Sequence, residues 1–129
     1  MTHQSFSTNN LWEQRYGYAR AVRAGDLVCC TGTVAINADG SVYAPGDANA
    51  QATRCYEIIE NAFSQLGASK EHIVRTRMFV TDIERADDFG RAHKMFFGNH
   101  TPCLTMVGVA RLIDDAFLIE IEADAVVGG

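Results

Sequence analysis

The chain has 129 residues, 47% of them hydrophobic and 21% charged, with only two prolines; this is enough for one folded core and is not the composition of a disordered chain. Eleven basic against sixteen acidic side chains give a formal charge of -5 and a pI near 5.2, which disfavours a phosphate backbone and makes nucleic acid an unlikely partner. The longest uncharged apolar run, Leu27 to Ile36, is about half of the ~20 residues that a bilayer span needs, so no membrane segment is predicted.

The polar start, Met1 to Asn10, carries neither the basic-then-apolar order of a secretory leader nor an Arg-rich amphipathic pattern, and a cytoplasmic protein is expected. Tyr16 to Val22 and Leu27 to Thr33 are β-rich runs separated by Ala24-Gly25-Asp26, which predicts a first hairpin. Asp39-Gly40 between short flanks adds a small third strand or excursion over Ile36 to Val42, ended by Pro45-Gly46. From Asp47 the period becomes helical: Cys55, Ile58, Ile59, Ala62, Phe63 and Leu66 form one stripe, with Asp47 or Asn49 as cap and Gly67 as stop. Ile73 to Val80 alternates as a strand, with Val74, Thr76, Met78 and Val80 opposite Ile73, Arg75, Arg77 and Phe79.

Thr81 or Asp82 can cap a second helix, in which Phe89, Ala92, His93 and Phe96 share a face and Gly98-Asn99 offers a stop. Cys103 to Leu112 and Phe117 to Val127 read as the last two strands. In the final one Phe117, Ile119, Ile121, Ala123, Ala125 and Val127 face one way and Leu118, Glu120, Glu122 and Asp124 the other. Strand, helix, strand, helix, strand requires crossovers, so an α+β fold is predicted as one domain, 1–129: a mixed five- to six-stranded sheet with two helices on one face. Two helices cannot cover both faces, and the apolar side of the last strand predicts self-association.

The cysteines, Cys29, Cys30, Cys55 and Cys103, show no C-x-x-C and no Cys/His pairing at zinc spacing, and read as reduced thiols. His93 and His100 lie seven apart across a helix end, which gives no dependable ligand geometry, and no metal is predicted. Arg15, Arg20 and Arg23 cluster as a solvated face rather than a phosphate site.

Several strings together resemble one family across nearly the whole chain, the Rid proteins, also described as endoribonuclease or translation-inhibitor proteins. Tyr18 to Val28 is similar to the opening Y-S-Q-A-V-x-x-G-D-x-V, and Thr31-Gly32-Thr33 stands where the family has S-G-Q. Gln51-Ala52-Thr53 resembles a Q-T before the first helix, and Val74 to Asp82 a V-K-x-x-V-Y-L-x-D strand. Val109 to Leu112 with Ile119 to Ala123 resembles the last hairpin. The resemblance implies a chorismate-mutase-like homotrimer with a central barrel and a small-molecule cleft at each subunit interface. It also implies hydrolysis of enamines and imines to ketoacids and ammonia, with no metal or organic cofactor.

Carried over by position, Tyr18 matches the family's cleft tyrosine, Thr31 its cleft serine, and Glu120 the glutamate that holds the attacking water. The family's Pro-Ala-Arg-Ser, whose arginine pairs with a substrate carboxylate, reads Pro102-Cys103-Leu104-Thr105 here, and His93 replaces a family asparagine. Leucine offers a carboxylate no donor. Cys103, Leu104 and His93 are therefore the candidate substrate-binding residues, together with Arg20, which on a strand would share a face with Tyr18 and could supply a guanidinium from a new direction. Each has a plainer alternative: a packed tyrosine, a strand threonine, a solvated carboxylate, a small hydrophobic cysteine, a core histidine, an interface arginine. Cys103 could also be a nucleophile, with His100 three residues away. The functional alternatives are a divergent imine or enamine hydrolase, a non-catalytic ligand-binding or protein-binding trimer, and a weak ribonuclease.

Overall fold

The structure, a computed structural model, describes residues 3–128. Met1 and Thr2 of the polar lead, and Gly129 at the end of the predicted domain, lie outside the described residues. In chain order the elements are β1 (His3–Phe6), α1 (Leu11–Tyr16), β2 (Ala21–Ala24), β3 (Leu27–Val34), α2 (Ala48–Ser64), β4 (Ile73–Val80), α3 (Ala86–Phe97), β5 (Cys103–Gly108) and β6 (Ile119–Val126). The strands form one mixed sheet in the order β1-β2-β3-β6-β4-β5.

Connectivity puts α2 and α3 on one face. The crossover from β3 through α2 to β4 and that from β4 through α3 to β5 both step the same way along the sheet, so right-handed crossovers place both helices on the same side. β6 then enters antiparallel between β3 and β4. Its Ile119, Ile121, Ala123 and Ala125 are buried in one core with Cys55, Tyr56, Ile59, Ala62 and Phe63 of α2. The apolar side of β6 is thus covered within a single chain, which removes the argument for self-association drawn from it. The uncovered face carries instead Glu120, Glu122, Asp124 and Arg77, with Arg77 Nη1 bonded to Glu122 at 3.1 Å and to Asp124 at 3.2 Å.

Gln51 ties α2 to the segment before β6. Fully buried, it accepts from Leu118 N at 2.8 Å and donates through Nε2 to Ala116 O at 3.0 Å. Asp47 caps α2 by accepting from Ala50 N. Asp82 caps a single 3-10 turn, Ile83–Arg85, that runs into α3, and Gly98 ends α3 at φ +61.

The sequence reading needs three corrections, while the excursion around Asp39-Gly40 is present. The run from Tyr16 to Val22 placed on a strand opens on the last residue of α1 and continues as a loop, because Asn10 caps Glu13 N and Gly17 closes the helix at φ +76; strand pairing begins only at Ala21, in Ala21–Ala24. Inside the polar lead His3–Phe6 forms an edge strand against β2, satisfying backbone groups without burying an apolar face. The excursion over Ile36 to Val42 is a turn closed by one isolated bridge. In β4 a register shift between Ile73 and Arg75 breaks strict alternation, so Ile73 joins the buried Thr76, Met78 and Val80 while Val74 is exposed.

Candidate active site

The site grows from an irregularity in β3. Cys30 pairs with Ala123 and Thr33 with Ile121, so two residues, Thr31 and Gly32, occupy the place of one on the partner strand. The side chain of Glu120 lies over this bulge: a Cβ on Gly32 would overlap Glu120 Oε2 and stand 3.0 Å from its Cδ. Glycine therefore leaves the room that the carboxylate occupies in this rotamer.

Behind the bulge stands a buried ion pair. Arg20 is 6% exposed and Glu13 3%; Arg20 Nε donates to Glu13 Oε2 at 3.4 Å, and Nη1 to Gly32 O at 3.2 Å and Thr33 Oγ1 at 3.0 Å. Thr33 Oγ1 in turn donates to Thr31 O at 2.8 Å. Glu13 also accepts from Ser7 Oγ, Thr8 N and Thr8 Oγ1. Burial pushes the Glu13 carboxyl up, but these bonds and the Arg20 charge outweigh it and hold it below its ordinary value. Arg20 is thus a brace between α1 and the bulge, with two of its three nitrogens committed to protein acceptors.

Glu120 has the opposite environment. Burial, and then the neighbouring Glu122, raise its pKa above the usual carboxylate value, with Arg20 opposing. A carboxyl so perturbed in a cleft can exchange protons nearer neutrality.

Glu120, Tyr18, Thr31 and Arg20 line one open cleft of about 1110 Å³, closed at its sides by α1, the Ile36–Val42 turn and the outer surface of α2. The structure therefore brings together four of the seven sequence-predicted residues. Tyr18 reaches the cleft from the loop after α1, under the Arg20 guanidinium at 5.8 Å, and not from a strand shared with Arg20. The other three lie elsewhere in the chain. Cys103 opens β5 opposite Arg75, and Leu104, 38% exposed, lies opposite Thr76 on that edge strand. His93 packs between Tyr56 and Phe97, at ring distances of 5.9 and 4.6 Å, and burial lowers its pKa. Among the described residues its Nε2 is buried without a hydrogen-bond partner. His100 does not face Cys103 as a base; its Nε2 bonds Ile73 O at 2.6 Å.

Three contributors were not anticipated. Gly32 inside a strand carries the usual mark of a bulge, and Asn10 followed three residues later by Glu13 is a helix-start signal. Trp12, on the cleft wall, had no sequence signal of its own.

The sequence pattern of the family described as Endoribonuclease L-PSP matches residues 9–127. A RutC family protein of Haemophilus influenzae is 37% identical over 114 residues, covering 84% of this chain and 85% of the relative. The fold superimposes on a crystal structure from Mycobacterium tuberculosis, a member of the YjgF/YER057c/UK114 family, with TM-score 0.89 and 39% identity, over 98% of this chain and 100% of that one. The Escherichia coli protein TdcF, solved with bound serine, matches with TM-score 0.79 and 30% identity, over 86% and 88% of the two chains. With its pattern, sheet order and helix placement in agreement, the chain belongs to the endoribonuclease L-PSP family, the YjgF/RutC or Rid proteins.

Proposed function

We propose that the chain is a cofactor-independent hydrolase of imines and enamines, working in the cytoplasm as a homotrimer in which the β5 edge of a neighbouring subunit completes the cleft. The observation that carries this reading is the bulge that seats the partly desolvated Glu120 carboxylate in a cleft with Tyr18 and Thr31. An enamine first becomes an imine by moving a proton to carbon. Water oxygen then bonds to the C=N carbon as the π pair passes to nitrogen; Glu120 takes a proton from that water and returns it to nitrogen. In the collapse of the carbinolamine its hydroxyl proton passes through Glu120 to nitrogen as C=O forms and C–N breaks, releasing the amine or ammonia. One water is consumed and nothing is oxidised or reduced.

The substrate class departs from α-imino acids. Leu104 stands where the family's Pro-Ala-Arg-Ser has arginine, and loss of such a bidentate charge-assisted pair costs on the order of a hundred-fold in turnover efficiency. TdcF was solved with serine, but Arg20 here has Nε and Nη1 bonded to protein acceptors and so keeps no pair of free nitrogens for bidentate pairing with a carboxylate. Ribonuclease activity, which the family description names, is disfavoured by the -5 charge and by Asp39, Glu57 and Asp114 beside Glu120 in the cleft. The same leucine favours one second reading, a ligand-binding trimer without turnover.

The test is acceleration of imine hydrolysis over buffer, using 2-aminoacrylate generated in a coupled assay and 1-pyrroline, a cyclic imine without a carboxylate whose ring-opened aminoaldehyde is drawn off by a coupled aldehyde dehydrogenase before it recloses. The expected result is acceleration on 1-pyrroline that Glu120→Gln abolishes, and little on 2-aminoacrylate. Saturable binding with no acceleration on either would replace the hydrolase reading by the second.

A further inference from the structure

One wall of the cleft is built for a different chemistry from its floor. Trp12 and Tyr16, one helical turn apart on α1, stack with ring centroids 5.8 Å apart and planes at 23°, and both line the cleft with Tyr18. Tyr16 is 63% exposed, so the stack presents aromatic surface to the opening. It is also rigidly held: Asn10 caps α1, Gly17 closes it, and the inward-pointing Glu13 between the two rings in sequence is fixed by Ser7, Thr8 and Arg20. A pre-organised aromatic platform loses little entropy on binding a planar ligand.

The charge that lines the cleft is mostly negative, and the one cation on the platform itself is the Arg15 guanidinium, which lies over the Trp12 ring 5.1 Å from its centroid. The cleft lining holds four carboxylates, Asp39, Glu57, Asp114 and Glu120, against two guanidiniums, Arg20 and Arg54. Both guanidiniums are engaged by the protein, Arg20 as described and Arg54 through Nε to Ile36 O at 3.0 Å and Nη1 to Glu57 at 3.6 Å. Each keeps only Nη2 uncommitted, so a ligand anion gains less there than a cation gains from the four carboxylates and the exposed ring of Tyr16.

We propose that the cleft selects a planar, ring-bearing imine in its protonated, cationic form and without a carboxylate, stacked on the Trp12–Tyr16 platform. That its C=N carbon lies toward Glu120 rests on the hydrolase reading above; the selection for a planar cation does not. Trp12 is the only tryptophan of the chain, so its fluorescence reports on the platform directly.

The probe is N-methylisoquinolinium, a planar ring cation that cannot be hydrolysed, compared with 1-naphthoate, a planar anion of similar size. Binding is followed by Trp12 fluorescence and by calorimetry. The expected result is saturable binding of the cation at least ten-fold tighter than that of the anion. Calorimetry should show Tyr16→Ala weakening the cation several-fold, Trp12→Ala ten-fold or more, and Trp12→Phe only in part, with circular dichroism checking that each variant is folded. Equal or tighter binding of 1-naphthoate, no binding of the cation, or unchanged affinity in both alanine variants would overturn the proposal. Hydrolysis of 3,4-dihydroisoquinoline is then measured separately. Cation binding without turnover counts against the hydrolase reading alone, while turnover of 1-pyrroline without cation binding counts against the platform alone.

Discussion

Replacing Gly32 by alanine separates the geometry of the site from the stability of the fold. Gly32 does not adopt a positive φ, so alanine is not strained by its own backbone. The three atoms nearest the added methyl all belong to Glu120, with Oε2 in overlap, Cδ at 3.0 Å and Cγ at 3.3 Å, so the close contact lies within one flexible side chain. Swinging that side chain to another rotamer costs about 0.5–1.5 kcal/mol, and the Gly-to-Ala change returns about 0.5–1 kcal/mol through the unfolded chain. Stability should therefore change by no more than about 1 kcal/mol, roughly 5 °C or less in Tm for a domain of this size. The carboxylate, by contrast, moves by about 1 Å or more, a misplacement that costs on the order of 100-fold in rate. The assay is a thermal melt beside initial rates of 1-pyrroline hydrolysis. A Gly32→Ala protein with wild-type Tm and wild-type rate would refute the claim that the bulge positions Glu120; a protein that fails to fold would refute the claim that the close contact lies within that one flexible side chain.

The ion pair gives a pH-dependent prediction. The folded-state pKa of Glu13 is lowered, so its contribution to stability is full above its ordinary value and is lost as pH falls through the folded value. Glu13→Gln leaves the buried Arg20 without its counter-charge and should cost about 3–5 kcal/mol at pH 7 in urea unfolding, with the gap to wild type narrowing at pH 3. For Glu120 the sign reverses: its folded pKa is raised, so ionisation opposes folding above that range, and Glu120→Gln should unfold at higher urea than wild type at pH 7 with no advantage at pH 3. Gln51→Ala removes the acceptor of Leu118 N and should cost about 1–3 kcal/mol by the same measurement. Light scattering should give about three times the 14.1 kDa chain mass, and a monomer would leave the cleft without the neighbouring β5 edge.

Much of the scaffold is legible in the sequence because its elements are amphipathic on a single period. The β6 alternation and the α2 stripe map directly onto the buried face and the helix that covers it. What one chain's pattern hides is where burial is not the driver. β1 is a polar edge strand held by backbone pairing, and α1 has only six residues, so its capping at Asn10 and Gly17 carries more information than its periodicity. For the site, Glu120, Tyr18 and Thr31 are found by resemblance, and the cleft holds them together. The sequence leaves Arg20 open between a replacement guanidinium and an interface arginine, because its partner Glu13 sits in a helix that periodicity does not reveal. Cys103, Leu104 and His93 lie away from the cleft of their own chain, and only a neighbouring subunit could return them to such a site, a relation that no single-chain periodicity encodes.

The central claim is that Glu120 handles the proton of the attacking water, and the pH dependence of kcat/KM for 1-pyrroline tests it most directly. The raised Glu120 pKa predicts an acidic limb whose apparent pKa lies above the ordinary carboxylate value of 4.5 and which disappears in a folded Glu120→Gln protein along with most of the rate. A variant that keeps both the limb and the rate would contradict the account and move the chemistry to another group.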